Sequence, residues 1–195
     1  MNKNQLAEDV DRLRENLGQL PEGVVRPPLI MVSGLPGAGK SYFCHKLAER
    51  VPLAYLESDA LRKSLFPSPD YSAQESSRLF YACHHLIEEL LAKGIPLAFD
   101  ATNLEERHRE HLYHIAEKVG AKLIIVRIEA PPQVVRQRLE DRAKNPHPAD
   151  QSTADWRIHQ RMKRIAQKIC RQYFAADTSR DITPVIDKIV REVNR

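Results

Sequence analysis

Leu29-Ile30-Met31-Val32-Ser33-Gly34-Leu35-Pro36-Gly37-Ala38-Gly39-Lys40-Ser41 is the stretch on which the reading of the chain turns. Its first four residues are an apolar run the length of a buried strand, its last eight fit G-x-x-x-x-G-K-[ST], and a helical pattern from about Lys40 to Arg50 follows. Strand, glycine loop and helix in that order separate a phosphate-binding P-loop from a chance match. The glycines let successive N–H groups turn inward as an anion nest, and the helix dipole adds partial positive charge at the same place. Lys40 then bridges the β- and γ-phosphates, and the Ser41 hydroxyl ligates Mg²⁺. Gly34, Leu35, Pro36, Gly37, Ala38, Gly39, Lys40 and Ser41 are therefore the predicted nucleotide-binding residues, with ATP and Mg²⁺ as the implied ligands.

Outward from the loop, apolar runs alternate with helical patterns. Leu6, Val10, Leu13 and Leu17 recur at steps of four, three and four and stop at Gly18, which predicts an amphipathic helix. Pro21, Gly23, Pro27 and Pro28 make a stiff connector after it, so residues 1–26 read as helix and linker and 27–195 as the main domain. Further strands are predicted at Leu53 to Leu56, Ile95 to Phe99 and Lys122 to Ile128. A capping box at Ser72-x-x-Glu75 opens a helix that ends at Gly94, and a second runs from about Leu104 to Val119, closed by Gly120. Pro131-Pro132 opens a third, which ends by Asn145 because Pro146 and Pro148 disfavour helix before them. Ser152-x-x-Asp155 begins a long basic helix to about Phe174, and Pro184 begins a last one. Strands that are continuous apolar runs, alternating with helices, predict a parallel sheet covered on both faces, an α/β chain folded as a three-layer α/β/α domain.

The composition suits one globular domain of 195 residues, 42% hydrophobic and 29% charged. No apolar run approaches the roughly 20 residues that span a bilayer, and Met1 to Leu20 lacks the apolar core of a secretory signal, so no membrane partner and a cytoplasmic address are expected. Cys44, Cys83 and Cys170 are far apart and form no Cys-x-x-Cys pair, so neither a disulfide framework nor a zinc site is suggested. The net charge of +4 is unevenly placed: between Val134 and Arg171 ten Lys/Arg stand against four acids, +6, leaving −2 elsewhere. Such a stretch suits phosphate-bearing ligands or nucleic acid, or forms a solvated helix face.

A P-loop alone does not separate a kinase from a GTPase or a motor. Asp59 stands at the end of the second strand, where ligands of open α/β sheets bind, and either takes the proton of an attacking hydroxyl or caps a helix over Ala60 to Leu65. Arg62, one turn on, shares that face and can fix a phosphate or carboxylate. Asp100-Ala101-Thr102-Asn103 ends strand three: Asp100 acts on Mg²⁺ or orients the acceptor pocket, and Thr102 and Asn103 line that pocket or cap the next helix. Arg138 and Arg142, four apart, point the same way from a helix read as part of a lid over about residues 134–155, with its tip at Asn145 to Asp150. Three histidines, His108, His111 and His114, lie at steps of three on one helical face, but without converging carboxylates they read as a solvated face rather than a metal site, and His84-His85 receive no role. Asp177-Thr178-Ser179 reads as a turn.

Taken together, the Gly34-x-Pro36-Gly37-x-Gly39-Lys40-Ser41 loop, Ser58-Asp59-x-x-Arg62, Asp100-Ala101-Thr102-Asn103 and Arg138-x-x-x-Arg142 resemble the polynucleotide-kinase-like branch of P-loop kinases, over about Leu29 to Asp177. The resemblance implies a nucleotide-kinase-like P-loop NTPase fold, Asp59 as general base, Arg62 on the acceptor's phosphate, and Arg138 and Arg142 on the phosphates of ATP. Catalysis would then rest on Lys40, Asp59 and Arg142, metal binding on Ser41 and Asp100, and acceptor binding on Asp59, Arg62, Asp100, Thr102 and Asn103. The expected activity is transfer of the γ-phosphate of ATP to an acceptor hydroxyl, with a polynucleotide 5′-hydroxyl as the first candidate. The alternatives are a small-molecule O-kinase of the sugar, antibiotic or nucleotide-sugar type and a nucleotide-dependent switch or accessory ATPase. The Asp59 and Arg62 pair argues against a switch, which needs no acceptor base. The basic segment favours nucleic acid, whereas an aromatic content of 6% supplies few platforms for stacked bases.

Overall fold

Five parallel strands stand in the order β2-β3-β1-β4-β5: β1 (Pro28–Ser33), β2 (Ala54–Glu57), β3 (Leu97–Asp100), β4 (Lys122–Glu129) and β5 (Phe174–Asp177). The computed structural model describes residues 2–145 and 151–195. Every residue of β1 is buried, as expected of the middle strand of a covered sheet. Its side chains alternate between two cores. Leu29 and Met31 face α1 (Lys3–Glu15), α3 (Ser58–Leu65), α4 (Ala73–Ala92) and α5 (Glu106–Val119), while Ile30 and Val32 face α2 (Lys40–Ala48) and α8 (Thr183–Val193). Two more helices, α6 (Pro132–Lys144) and α7 (Trp156–Ile165), lie over the carboxyl edge of the sheet. The expected three-layer α/β/α architecture is the one observed.

Strand order places the site. The chain leaves β1 for β2, returns to β3 beside β1, then crosses to β4 on the other side. Neighbouring strands thus diverge in connection at β1, and the crevice this leaves outside their carboxyl ends is where such sheets bind ligands. The register Val32↔Asp100 and Leu56↔Phe99 brings Asp100 beside the start of the glycine loop and Glu57 beside Asp100.

Three expectations are corrected. The basic helix starts at Trp156, capped by the Asp155 side chain on the Ile158 N–H at 2.8 Å, and ends at Ile165 rather than Phe174. Beyond it, the Gln167 N–H donates to the Leu104 carbonyl at 2.8 Å and the carbonyls of Gln167 and Lys168 accept from buried Arg109, so tertiary hydrogen bonds replace helical ones. Phe174–Asp177 is a fifth strand; Phe-Ala-Ala-Asp holds no β-branched residue, so its pattern gives no strand signal. Thr102 and Asn103 do not cap α5, whose cap position is Glu105, and Asp59 lies within the first turn of α3, one residue past Ser58, with Glu57 at the cap position. The expected lid tip falls mostly on residues 146–150, outside the described residues.

The N-terminal helix packs in cis. Val10 and Leu13 of α1 join the core beside Leu29 and Met31, with Leu6 and Leu17 against it. Asp9 is buried at this contact, accepting from Arg78 Nε and Nη2 at 2.7 and 2.6 Å and from Gln5 at 3.1 Å. Burial pushes its pKa up, but the Arg78 and Gln5 hydrogen bonds and the charges of Arg78 and Arg12 outweigh it and leave it lowered. A lowered carboxylate stabilises the fold above its unfolded value of 3.8, and that contribution fades as pH falls below it. Asp9→Asn is accordingly expected to cost about 1.5–3 kcal/mol in urea melts at pH 7 and progressively less as the pH drops toward 3.

Candidate active site

The glycine loop leaves β1 and turns directly into α2, with Gly37 and Gly39 at φ 79° and 92°, left-handed conformations that a side chain would strain. Space forbids side chains there too. A Cβ on Gly37 would meet Val135 and Leu139 of α6 at 2.9 Å, and one on Gly39 would meet Thr178 Oγ1 at 2.8 Å. Thr178 is buried, donates to the Ala38 carbonyl at 2.6 Å, and receives Arg138 on both its Oγ1 (2.8 Å) and its carbonyl (2.9 Å). From α7, buried His159 places Nδ1 2.9 Å from the Pro36 carbonyl, with Trp156 stacked on its ring at 4.9 Å. The Lys40 amine lies back toward the Leu35 carbonyl at 3.5 Å and has no carboxylate partner among the described residues.

At the first turn of α2 a corner of oxygen atoms converges. The Ser41 hydroxyl lies 2.8 Å from Asp100 Oδ2 and 3.2 Å from Glu57 Oε1, and the Tyr55 hydroxyl donates to the same Asp100 oxygen at 2.8 Å. Among the described residues no cluster of three or more His, Cys, Asp or Glu is placed to hold a metal by itself. An all-oxygen pair of carboxylates and a hydroxyl beside a phosphate nest nevertheless fits a hard cation such as Mg²⁺, which takes one or two protein oxygens and completes its shell from phosphates and water. Burial, and then the charge of Asp100, raise the Glu57 pKa to about 7 against the smaller opposing effects of Ser41 and Lys40. Tyr55 is held protonated by burial and by Asp100.

The remaining expected residues divide. Asp59, Arg62, Thr102, Arg138 and Arg142 line one cleft of about 760 Å³ with the glycine loop, Ser41 and Asp100. Asp59 makes no hydrogen bond or ion pair among the described residues, so its carboxylate is a free acceptor at the cleft wall. Arg62 is buried, paired with Glu75, bonded to Ser76 Oγ at 3.2 Å and covered by the Tyr71 ring at 4.7 Å; its Nε has no hydrogen-bond partner among the described residues. Its charge is thus already compensated inside the protein. Asn103 turns away from the cleft: its side-chain amide donates to the Val32 carbonyl at 2.7 Å, and its own carbonyl accepts from Ser33 Oγ and Arg109. Arg142 donates to the Ala154 carbonyl at 2.6 Å, tying α6 to the segment before α7.

A family model, AAA_33, described as an AAA domain, matches residues 29–169. The chain belongs to this AAA_33 family. Among curated relatives, the adenylate kinase isoenzyme 6 homolog of Drosophila melanogaster is 33% identical over 89 residues, which is 45% of this chain and 47% of that protein, so the match spans about half the length of each. Among the solved structures that share the fold, three are informative. They are an APS kinase of Mycobacterium tuberculosis in complex with AMPPNP and APS (18% identity, 90% of this chain and 100% of that one, TM-score 0.67), Kti12 of Chaetomium thermophilum with ADP-AlF3 (18%, 85% and 99%, 0.69), and a gluconokinase of Sinorhizobium meliloti (20%, 87% and 93%, 0.61). The fold of this AAA_33 chain is therefore that of P-loop kinases. No described helix is long and apolar enough to cross a membrane.

Within this AAA_33 chain, four residues at the site go beyond the sequence reading. Glu57 and Tyr55 flank the quoted Asp59 motif, but only the register of β2 on β3 shows that they meet Asp100. Thr178, read as part of a turn, does sit in one, with Asp177 accepting from the Ser179 N–H and hydroxyl, yet the turn is wedged against the glycine loop. Arg161, counted only as charge, lines the cleft from α7 without a partner among the described residues.

Two outcomes are expected. Gly39→Ala should lower ATP affinity at least tenfold by equilibrium dialysis, because both the left-handed φ and Thr178 oppose a Cβ. A carboxyl raised from 4.5 to about 7 stabilises the fold at low pH, and that contribution is lost as pH climbs through 7. The melting temperature in EDTA should therefore fall between pH 5 and 8, and Glu57→Gln should remove most of that fall.

Proposed function

We propose that the chain is an ATP-dependent kinase that moves the γ-phosphate to a hydroxyl of a small acceptor. The observation that carries this reading is the unpaired Asp59 carboxylate in the same cleft as Lys40 and the Ser41 and Asp100 pair: a base on one wall, a phosphate nest and a cation corner on the other. A switch or an ATPase needs the second wall only.

In this reading the N–H groups of the loop and Lys40 hold the β- and γ-phosphates, and Ser41 and Asp100, with Glu57 beside them, hold Mg²⁺. Bound there, Mg²⁺ neutralises charge on the phosphates. Asp59 orients the acceptor hydroxyl and takes its proton as the oxygen bonds to the γ-phosphorus and the bond to the bridging β–γ oxygen breaks, releasing ADP. Arg142 of α6 and Arg161 of α7, which line the same cleft, supply the guanidinium charge for the equatorial oxygens.

A small acceptor is favoured over a polynucleotide end. Arg62, the group expected to grip an acceptor phosphate, is buried against Glu75, so a backbone phosphate would have to displace a carboxylate. Arg136, Arg138 and Arg171, all from the +6 segment, are engaged by Glu140, Thr178 and Glu117. The structural neighbours that carry substrate names, an APS kinase and a gluconokinase, are small-molecule kinases, as is the curated adenylate kinase relative.

The test is transfer of labelled γ-phosphate from ATP to nucleosides, nucleotides, sugars and a 5′-hydroxyl oligonucleotide. Lys40→Ala should reduce transfer to the best acceptor by about 10²-fold or more. Asp59→Asn should cut kcat by about 10²-fold with ATP affinity within threefold of the parent. Loss of ATP binding in Asp59→Asn would move that carboxylate to the nucleotide side and remove the base from the scheme.

A further inference from the structure

Past Phe80, the cleft opens into a second groove of about 830 Å³ between α4 and α5, bordered by Met162 and Ile165 of α7. Ser76, Phe80, Thr102 and Met162 line both spaces, so the groove continues the cleft. Its wall is built of rings. His84 lies 6.4 Å from Phe80 and 5.3 Å from His111 between centroids, and His108 lies 6.0 Å from Phe80. Phe80 and His108 are stacked at 29°, and the pairs Phe80–His84 and His84–His111 are tilted by 37° and 31°, so the four rings pack as one aromatic cluster across two helices.

The helical patterns explain how this surface arises. Phe80 and His84 are four apart on α4, and His108 and His111 are three apart on α5, so each pair shares one helical face and the packing of the two helices brings the pairs together. Such imidazoles have three ordinary uses: a metal cage, a charged patch or a stacking surface. Among the described residues they form no metal-binding group. Burial, and then the neighbouring imidazoles, hold His84 at about 4, and burial also lowers His108, which disfavours a charged patch here. What remains is a heteroaromatic wall beside the hydroxyls of Ser76, Ser77 and Thr102, a combination that stacks on a flat ring and reaches the polar atoms at its edge.

We propose that this groove seats a planar heterocycle carried by the acceptor, of nucleobase chemistry, while the hydroxyl that receives the phosphate lies in the cleft by Asp59. The assignment rests on the kinase reading and narrows its acceptor to a nucleoside-type molecule, which a bare sugar is not. His108 and His111 would be binding residues that position the acceptor, not catalytic ones.

The experiment uses the full chain with its donor site filled by a non-hydrolysable ATP analogue, titrated with 2-aminopurine riboside, whose fluorescence drops when it stacks. The riboside should bind saturably with quenching. The double variant His108→Ala/His111→Ala should weaken binding at least tenfold, while His108→Phe/His111→Phe, which keeps the rings, stays within threefold. Circular dichroism and ATP affinity of both variants should match the parent, and a zinc-selective chelator that leaves Mg²⁺ in place should change nothing. Unchanged binding in the alanine variant, equal loss in the phenylalanine variant, or loss on chelation would each overturn the proposal. A 5′-hydroxyl oligonucleotide with 2-aminopurine at its first position distinguishes a free nucleoside from a strand end, and histidine-dependent quenching of either supports the groove. Labelled transfer separates the two levels of the argument. Riboside binding that needs the histidines but no phosphorylation of any acceptor would sink the kinase reading alone, whereas transfer to sugars with no riboside binding would sink this one alone.

Discussion

Everything at the site depends on how the end of β1 is fastened to the end of β3. The Gly34 N–H and the Ser33 hydroxyl reach the Thr102 carbonyl at 3.1 Å each, and the Asn103 side chain reaches back to the Val32 carbonyl at 2.7 Å. Asn103 takes a left-handed φ of 44° to do so, a conformation that Asn tolerates better than most residues. Buried Arg109 then locks the same loop to the carbonyls of Gln167 and Lys168. With these bonds in place, Asp100 cannot drift from Ser41, and the oxygen corner is built before any ligand arrives. Pre-set dipoles and charges of this sort are what phosphoryl transfer chiefly requires of a protein.

The chain divides its buried charge between two tasks. Asp9 with Arg78 and Arg62 with Glu75 join helices on one face of the sheet. Glu57 and Asp100, by contrast, are carboxylates brought together with no ion pair to a basic side chain among the described residues, Lys40 offsetting their repulsion only in part. A fold that holds two carboxylates so close gives up stability there, which the raised pKa of Glu57 reflects.

Much of this was legible in the sequence, for identifiable reasons. The glycine loop has a strict chemical pattern in a recognisable strand and helix setting, so its reading needed no tertiary information. The strands of the middle of the sheet are continuous apolar runs, and Gly120 at φ 69° ends α5 where a C-terminal glycine should. What escaped depends on contacts between distant segments. Phe174–Asp177 is a strand because β4 offers it an edge, not because Ala175 and Ala176 prefer one. The basic helix stops at Ile165 because Arg109 and Leu104 take over its backbone groups. Asn103 and Arg62 carry the right chemistry for an acceptor site, yet Val32 in one case and Glu75 in the other claim their polar groups, which no spacing rule reveals. The histidines of α5 read as a solvated face and His84-His85 received no role; only the packing of the two helices brings them together.

The wedge between α6 and the glycine loop has a mechanical meaning. Val135 and Leu139 press on Gly37, and Arg138 is pinned through Thr178 to Ala38, so the first half of α6 moves only if the phosphate cradle moves with it. Arg142, one turn further along, is held among the described residues by a single bond to the Ala154 carbonyl. The two arginines, equivalent by spacing, are thus unequal in reach. One is part of the anvil, and the other is the nearest point at which a hammer could swing.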